Sequence, residues 1–241
     1  VSRVRKGLWG RDRLAASPLA TLLVLLLLLI SGGKEHTPRP QPDGGSLSGR
    51  VIVVDPGHGG NDRNRGDFGA EGVGPVPEKE NALAIGLALK RELEALGARV
   101  VMTRESDRSP ADDGPYRSDP LGQLKARVET ARQVNADAFI SVHNDWSDDP
   151  RQEGVASFHY SAASRRLAEA IQRGMAAATG AQDRGVHAED FYVLRHTPGP
   201  AVLVETGFVS NRQEAYRLSD PAYRARVARG IAQGVAEVLG R

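Results

Sequence analysis

The sequence predicts one α/β domain, a mostly parallel, twisted sheet with helices on both faces. Three observations predict it. Short β-branched runs alternate with amphipathic stretches about 15 residues long, the signature of strand–helix–strand units. The first of those stretches stops at Gly97, a residue suited to a helix C-cap. Hydrophobic residues make up 40% of the 241 and charged residues 26%, enough to build a core.

The elements follow in order. Residues 50–55 (RVIVVD) are β-branched and read as a buried strand. Residues 81–96 carry apolar side chains at helical spacing. Residues 98–103 (ARVVMT) read as a second strand, 121–135 as a helix and 138–143 (AFISVH) as a third strand. Residues 154–160 (GVASFHY) alternate as a half-buried strand would. A helix is expected over 162–179, strands over 191–194 and 201–205, and a closing amphipathic helix over 222–239. Residues 105–120 form a polar loop that rims a cleft or crosses the surface.

What precedes this domain has a different character. Residues 1–13 set Arg3, Arg5, Lys6, Arg11 and Arg13 against Asp12, and an apolar run follows from Leu14 to Ile30. A basic flank before a leucine run is the layout of a secretory signal or signal anchor, expected over residues 1–33. Its apolar run is short of the roughly 20 residues that span a bilayer. Export to the periplasm, cell envelope or exterior is the expectation, with membrane attachment through this segment as a second possibility. Residues 34–48, rich in proline and glycine, read as a linker, and the catalytic domain is expected over 49–241.

Composition excludes several chemistries. There is no cysteine, hence no disulfide framework, thiolate metal site or cysteine nucleophile. Seven of the 32 basic residues lie in the first 48 positions against three acidic ones. The remainder carries 25 basic and 27 acidic side chains. Without a basic block, and with aromatics at only 5%, nucleic acid is not an expected partner.

Ligands of open α/β sheets sit beyond the carboxyl ends of the strands. The first strand ends in Asp55-Pro56-Gly57-His58-Gly59-Gly60, the third in His143-Asn144-Asp145 and the last in Glu205-Thr206-Gly207. Glu78 lies just before the first helix, with Glu80 close by as an alternative. Two histidines and one carboxylate with an open fourth position make a catalytic zinc set. Asp55 could orient His58 or cap the turn. His36 falls in the linker. His159, His187 and His196 read as structural, although either of the last two could line the cleft. Trp146 reads as a groove wall or a surface aromatic.

Five separated motifs then stand in a recognisable order: VVDPGHGG at 53–60, PEKENALAIGLALKRELEALG at 77–97, VVMTRESD at 100–107, ADAFISVHND at 136–145 and FYVLRHTPGPAVLVETGFVSN at 191–211. They resemble the zinc-dependent N-acetylmuramoyl-L-alanine amidases of the amidase type 3 family, over about residues 50–240. The resemblance implies that His58, Glu78 (and not Glu80) and His143 ligate one zinc ion, and that Glu205 is the catalytic carboxylate. Arg127 resembles a family arginine of structural role, and no catalytic role is carried over to it. The implied reaction is hydrolysis of the amide between N-acetylmuramic acid and L-alanine in peptidoglycan or a muropeptide. The alternatives are a zinc peptidase or carboxypeptidase acting on the stem peptide, and a non-catalytic wall-binding regulator. Two departures stand out. NDRNRGDFGAEG lengthens the gap between His58 and Glu78, and Asn144-Asp145 follow His143 where the family commonly has Ala-Asn, so Asp145 is an outside candidate for the metal. Only nine residues, 145–153, separate the His143 strand from the next, too few for the self-blocking helix some relatives insert there.

Overall fold

The computed structural model describes residues 45–60 and 68–241. The expected targeting segment (1–33), His36 and most of the expected linker lie outside the described residues. Among the described residues the order is β1 (Val51–Pro56), α1 (Glu78–Ala95), β2 (Arg99–Met102), α2 (Gly122–Gln133), β3 (Ala138–Asp145), β4 (Val155–His159), α3 (Ala162–Thr179), β5 (Asp183–Ala188), α4 (Tyr192–His196), β6 (Ala201–Phe208), α5 (Arg212–Ser219) and α6 (Pro221–Leu239). No described helix is long and apolar enough to cross a membrane.

The strands form one sheet in the order β2-β1-β3-β6-β4-β5. Every pairing is parallel except β4 with β6. β2 and β3 lie on opposite sides of β1, so the order reverses there and opens a crevice at the strand ends. Both faces are covered. Ile52, Val54, Ile140, Val142, Val202 and Val204 point to one side, where Ile85, Leu89, Ile171, Met175, Val227 and Ile231 of α1, α3 and α6 meet them. Val53, Phe139 and Leu203 point to the other, against Val128, Ala131, Val193 and Leu194 of α2 and α4. This is the alternation a pleated strand imposes. Leu47, near the end of the expected linker, is fully buried in the larger core and donates its backbone N–H to Leu96 O at 2.8 Å.

Local chemistry sets the helix ends. Ser161 accepts from Ser164 N at the start of α3, and Gly180 closes that helix in the left-handed conformation (φ 67°). Asp220 caps α6, with Pro221 in its first turn. α3 and α6 approach so closely that a Cβ on Gly234 would stand 2.5 Å from Ile171 Cα.

Four expectations change. The segment 191–194 is not a strand: Phe191 stands at the N-cap of the short helix α4, whose turn puts Val193 and Leu194 together against Phe139 and Leu203 of the sheet. β4 is buried on both faces and not half-buried, being an interior strand. Glu78 begins α1 and does not merely precede it. β5 and α5 were not anticipated. The 145–153 segment has no helix after β3 ends, as its length predicted.

Candidate active site

The residues that open the site come from three strand ends and one helix start. His58 follows β1 in the left-handed conformation (φ 57°), uncommon for a side chain with a Cβ. His143 lies near the end of β3, and Glu205 is its register partner on β6. Neighbouring strands are about 4.8 Å apart and register partners share a face, so the ladder itself sets Glu205 beside His143. Glu78 arrives from the first turn of α1. Its backbone N–H donates to Ala70 O at 2.9 Å, and its Oε2 accepts from Ala70 N at 2.8 Å. That reciprocal pair fixes the carboxylate despite the long gap after His58, whose residues 61–67 lie outside the described residues.

The three expected ligands meet. Glu78 Oε1 is 3.0 Å from His58 Nε2 and 3.0 Å from His143 Nδ1. One ligand atom from each lies within 4.8 Å of the others. Tetrahedral zinc with bonds near 2.1 Å would space its ligand atoms about 3.4 Å apart. Two imidazole nitrogens and a carboxylate oxygen are hard-to-borderline donors that suit such an ion, so the residues fit a metal. The surroundings leave no slack: a Cβ on Gly57 would stand 2.3 Å from the His143 ring, and one on Gly69 would stand 2.9 Å from His58 and 3.1 Å from Glu78 Oε2. Burial alone would raise the pKa of Glu78, but hydrogen bonds and charge from His143 and His58 outweigh it and hold the carboxyl well below the usual range.

Glu205 has the opposite electrostatics. Its Oε2 is covered from solvent and makes no hydrogen bond among the described residues. Burial first, and then the charges of Glu78 and Asp145, push its pKa well above the ordinary carboxylate value. Two carboxylates whose surroundings drive their affinities for protons apart are the arrangement that separates an anion from a proton carrier.

These groups open on a cleft of about 430 Å³, walled by Gln123, Leu124 and Arg127 of α2, by Phe191, Tyr192 and Val193, and by Trp146. Trp146 is thus a groove wall, 53% exposed.

Several candidates sit elsewhere. Asp55 does not orient His58. Its oxygens accept from Arg127 Nη1 (2.5 Å), Thr103 Oγ1 (2.6 Å) and Ser141 Oγ (2.7 Å). Burial raises its pKa, yet Arg127 and the two hydroxyls bring the net shift below the usual value. Asp145 lines the cleft, but its Oδ1 accepts from Trp146 N at 2.7 Å and it is not part of the three-ligand cluster. Glu80 is exposed. His159 is buried against Ser161 O, while His187 and His196 are exposed and off the cleft. The loop 105–120 does not wall the cleft, but Asp107 reaches back to Gly60 N at 2.9 Å. The sequence pointed to no role for Arg104 and, through the family resemblance, to at most a structural one for Arg127; both close on the His58 turn. The position of Arg104 just beyond a strand end was the available signal.

Comparison with known proteins agrees with this geometry. The sequence model described as N-acetylmuramoyl-L-alanine amidase matches residues 52–237. The chain is 36% identical over 190 residues to N-acetylmuramoyl-L-alanine amidase LytC of Bacillus subtilis (strain 168), covering 77% of this chain and 35% of that protein. It is 32% identical over 219 residues to the germination-specific N-acetylmuramoyl-L-alanine amidase of the same organism, covering 88% and 89%. The chain thus spans about a third of one relative and nearly all of the other. Among solved structures, the catalytic domain of CwlV from Bacillus (Paenibacillus) polymyxa var. colistinus superposes with a TM-score of 0.69 at 34% identity, covering 79% of this chain and 98% of that one. AmiC2 of Nostoc punctiforme superposes equally well, at 34% identity and 80% coverage.

Proposed function

This chain belongs to the N-acetylmuramoyl-L-alanine amidase family, and from that premise we propose that it hydrolyses the amide joining N-acetylmuramic acid to L-alanine in peptidoglycan. The observation that carries the reading is the pairing of His143 with Glu205 across β3 and β6, which sets the Glu205 side chain in the lining of the cleft that the His58–Glu78–His143 cluster opens on.

His58, Glu78 and His143 would hold one zinc ion, and Asp145 stays outside its ligand set. When bound, zinc would polarise a carbonyl oxygen and acidify water, bringing its pKa down to about 7. The chain's own residues do the rest. Glu78, kept anionic by the two imidazoles, gives the ligand set its negative charge. Glu205, with raised proton affinity, accepts a proton from the attacking water and delivers it to the departing L-alanine nitrogen. Trp146, Phe191 and Tyr192 present apolar walls to the substrate.

Peptidoglycan lies outside the cytoplasm, so the proposal places the mature protein in the envelope, periplasm or exterior. Residues 1–33 are assigned to targeting, with or without retention at the membrane, 34–48 to a linker whose Leu47 end packs into the core, and 49–241 to catalysis. The test is mass spectrometry of purified muropeptides after incubation with the zinc-loaded chain. Release of an intact stem peptide with a free L-alanine amine is expected. Cleavage within the stem peptide would make the chain a peptidase or carboxypeptidase instead, and zinc bound with no product would make it a wall-binding regulator.

A further inference from the structure

β2 delivers no ligand to the cleft, yet Arg104, just beyond its end, lies between two segments that do. The side chain is buried, 5% exposed. Its Nε donates to Pro56 O at 3.0 Å, and its Nη2 to Gly57 O at 2.7 Å and to Lys79 O at 2.6 Å. Nη1 donates to Ser106 O at 3.0 Å. Pro56 and Gly57 run directly into His58, and Lys79 follows Glu78. One guanidinium therefore spans the supports of two of the three ligands, which the sequence separates by a long loop.

The surrounding contacts reinforce that span. A Cβ on Gly59 would stand 2.8 Å from Arg104 Cδ and Nε, so the turn lies flat on the arginine. Arg127 holds the far side of the same turn through Pro56 O and His58 O, both at 2.8 Å. Lys79 Nζ reaches Gly60 O at 2.9 Å and Asp107 Oδ2 at 2.7 Å. The left-handed φ of His58 needs such support, because nothing in its own covalent structure favours it. His143 needs none of it, being held by the ladders on both sides of β3.

We infer that Arg104 is a positioning residue that sets the separation of His58 from Glu78 before any metal arrives. The inference rests on the zinc reading above. A planar fork with several fixed donors can serve carbonyls in different directions at once, whereas a lysine ammonium is a single point. A ligand pair already held at its bonding separation loses less freedom when the ion binds. Groups that orient metal ligands from behind typically change metal affinity about 10- to 100-fold.

The experiment measures zinc affinity of the full chain by competition with a chromogenic chelator, the visible spectrum of the cobalt(II)-substituted protein, and thermal unfolding of the metal-free protein. The variants are Arg104→Lys, Arg104→Gln, Leu89→Ala and His143→Ala. Leu89 is fully buried in α1, so its truncation lowers stability without touching a ligand support. Arg104→Lys should bind zinc about 10- to 100-fold more weakly and shift the cobalt bands, while Leu89→Ala melts earlier and binds zinc as the parent does. If Arg104→Gln does not fold, Arg104→Lys carries the test. Zinc affinity in Arg104→Lys within about threefold of the parent, with an unchanged cobalt spectrum, overturns the inference whatever the melting temperature. His143→Ala binding zinc as tightly as the parent overturns the metal site itself, and this inference with it.

Discussion

The two faces of the sheet are built to different ends. On one, three helices of 18, 18 and 19 residues lie over the strands. α3 and α6 press together until glycine backbones touch, and Ile171, Met175, Val227 and Ile231 are fully buried. On the other, α2 and the five-residue α4 leave the strand ends uncovered, and the cleft opens between them. The packed face buries uncharged polar groups such as Ser157, whose hydroxyl donates to Gln172 Oε1 at 2.9 Å. The open face buries Asp55, Arg127 and Ser141 beneath the histidines. Stability and chemistry are thus divided between opposite sides of the same strands. An interior strand such as β3 contributes Ile140 and Val142 to one side and Ser141 and His143 to the other.

That division can be broken or sharpened by mutation. The largest effect belongs to Glu205→Gln on the open face. Turnover should fall about 100- to 10,000-fold, with zinc content and melting temperature held. Unchanged turnover would strip Glu205 of its role. Gly57→Ala should come next, because its methyl group would meet the His143 ring at 2.3 Å. Zinc content and activity are expected to drop together, and normal zinc stoichiometry by metal analysis would count against the assigned ligand set.

Ile171→Ala is the matching change on the packed face. It should lose about 2–5 kcal/mol of stability, read from denaturant unfolding, while kcat stays that of the parent. A change in kcat at full folding would show that the faces are coupled.

A subtler effect involves Asp55, the buried polar support of the open face. Its folded pKa is depressed, so its contribution is complete above the unfolded carboxylate value of about 4 and fades as pH falls through the folded value. The melting-temperature gap between the parent and Asp55→Asn should therefore be widest near neutrality and narrow below about pH 4. A gap that widens in acid would contradict the direction of the shift. Smallest of all, Trp146→Ala should raise KM up to about tenfold, in line with one lost aromatic contact of about 0.5–1.5 kcal/mol, leaving kcat and zinc affinity alone.

Much of this was written locally. β1, β2, β3 and β6 are β-branched runs whose pattern is visible within a few residues. The long helices announce themselves by spacing and, for α1, by the stop at Gly97. His58, His143 and Glu205 could be nominated because a strand's last residues follow from where its apolar run ends, and Glu78 because the family motif singled it out from Glu80.

What the sequence by itself determined, then, was the kind of element at most positions and the residues standing at their ends. Only the tertiary structure decided which strands became neighbours, and with that β4's antiparallel pairing, its two-sided burial and the helix at Tyr192 where a strand seemed due. It also decided that Asp55 answers to Arg127 and that Arg104 joins the supports of His58 and Glu78. The physical reason is range. Periodicity and capping are set by interactions within a turn or two of the chain, whereas a hydrogen bond between residues 47 or 72 positions apart exists only after the sheet has chosen its order.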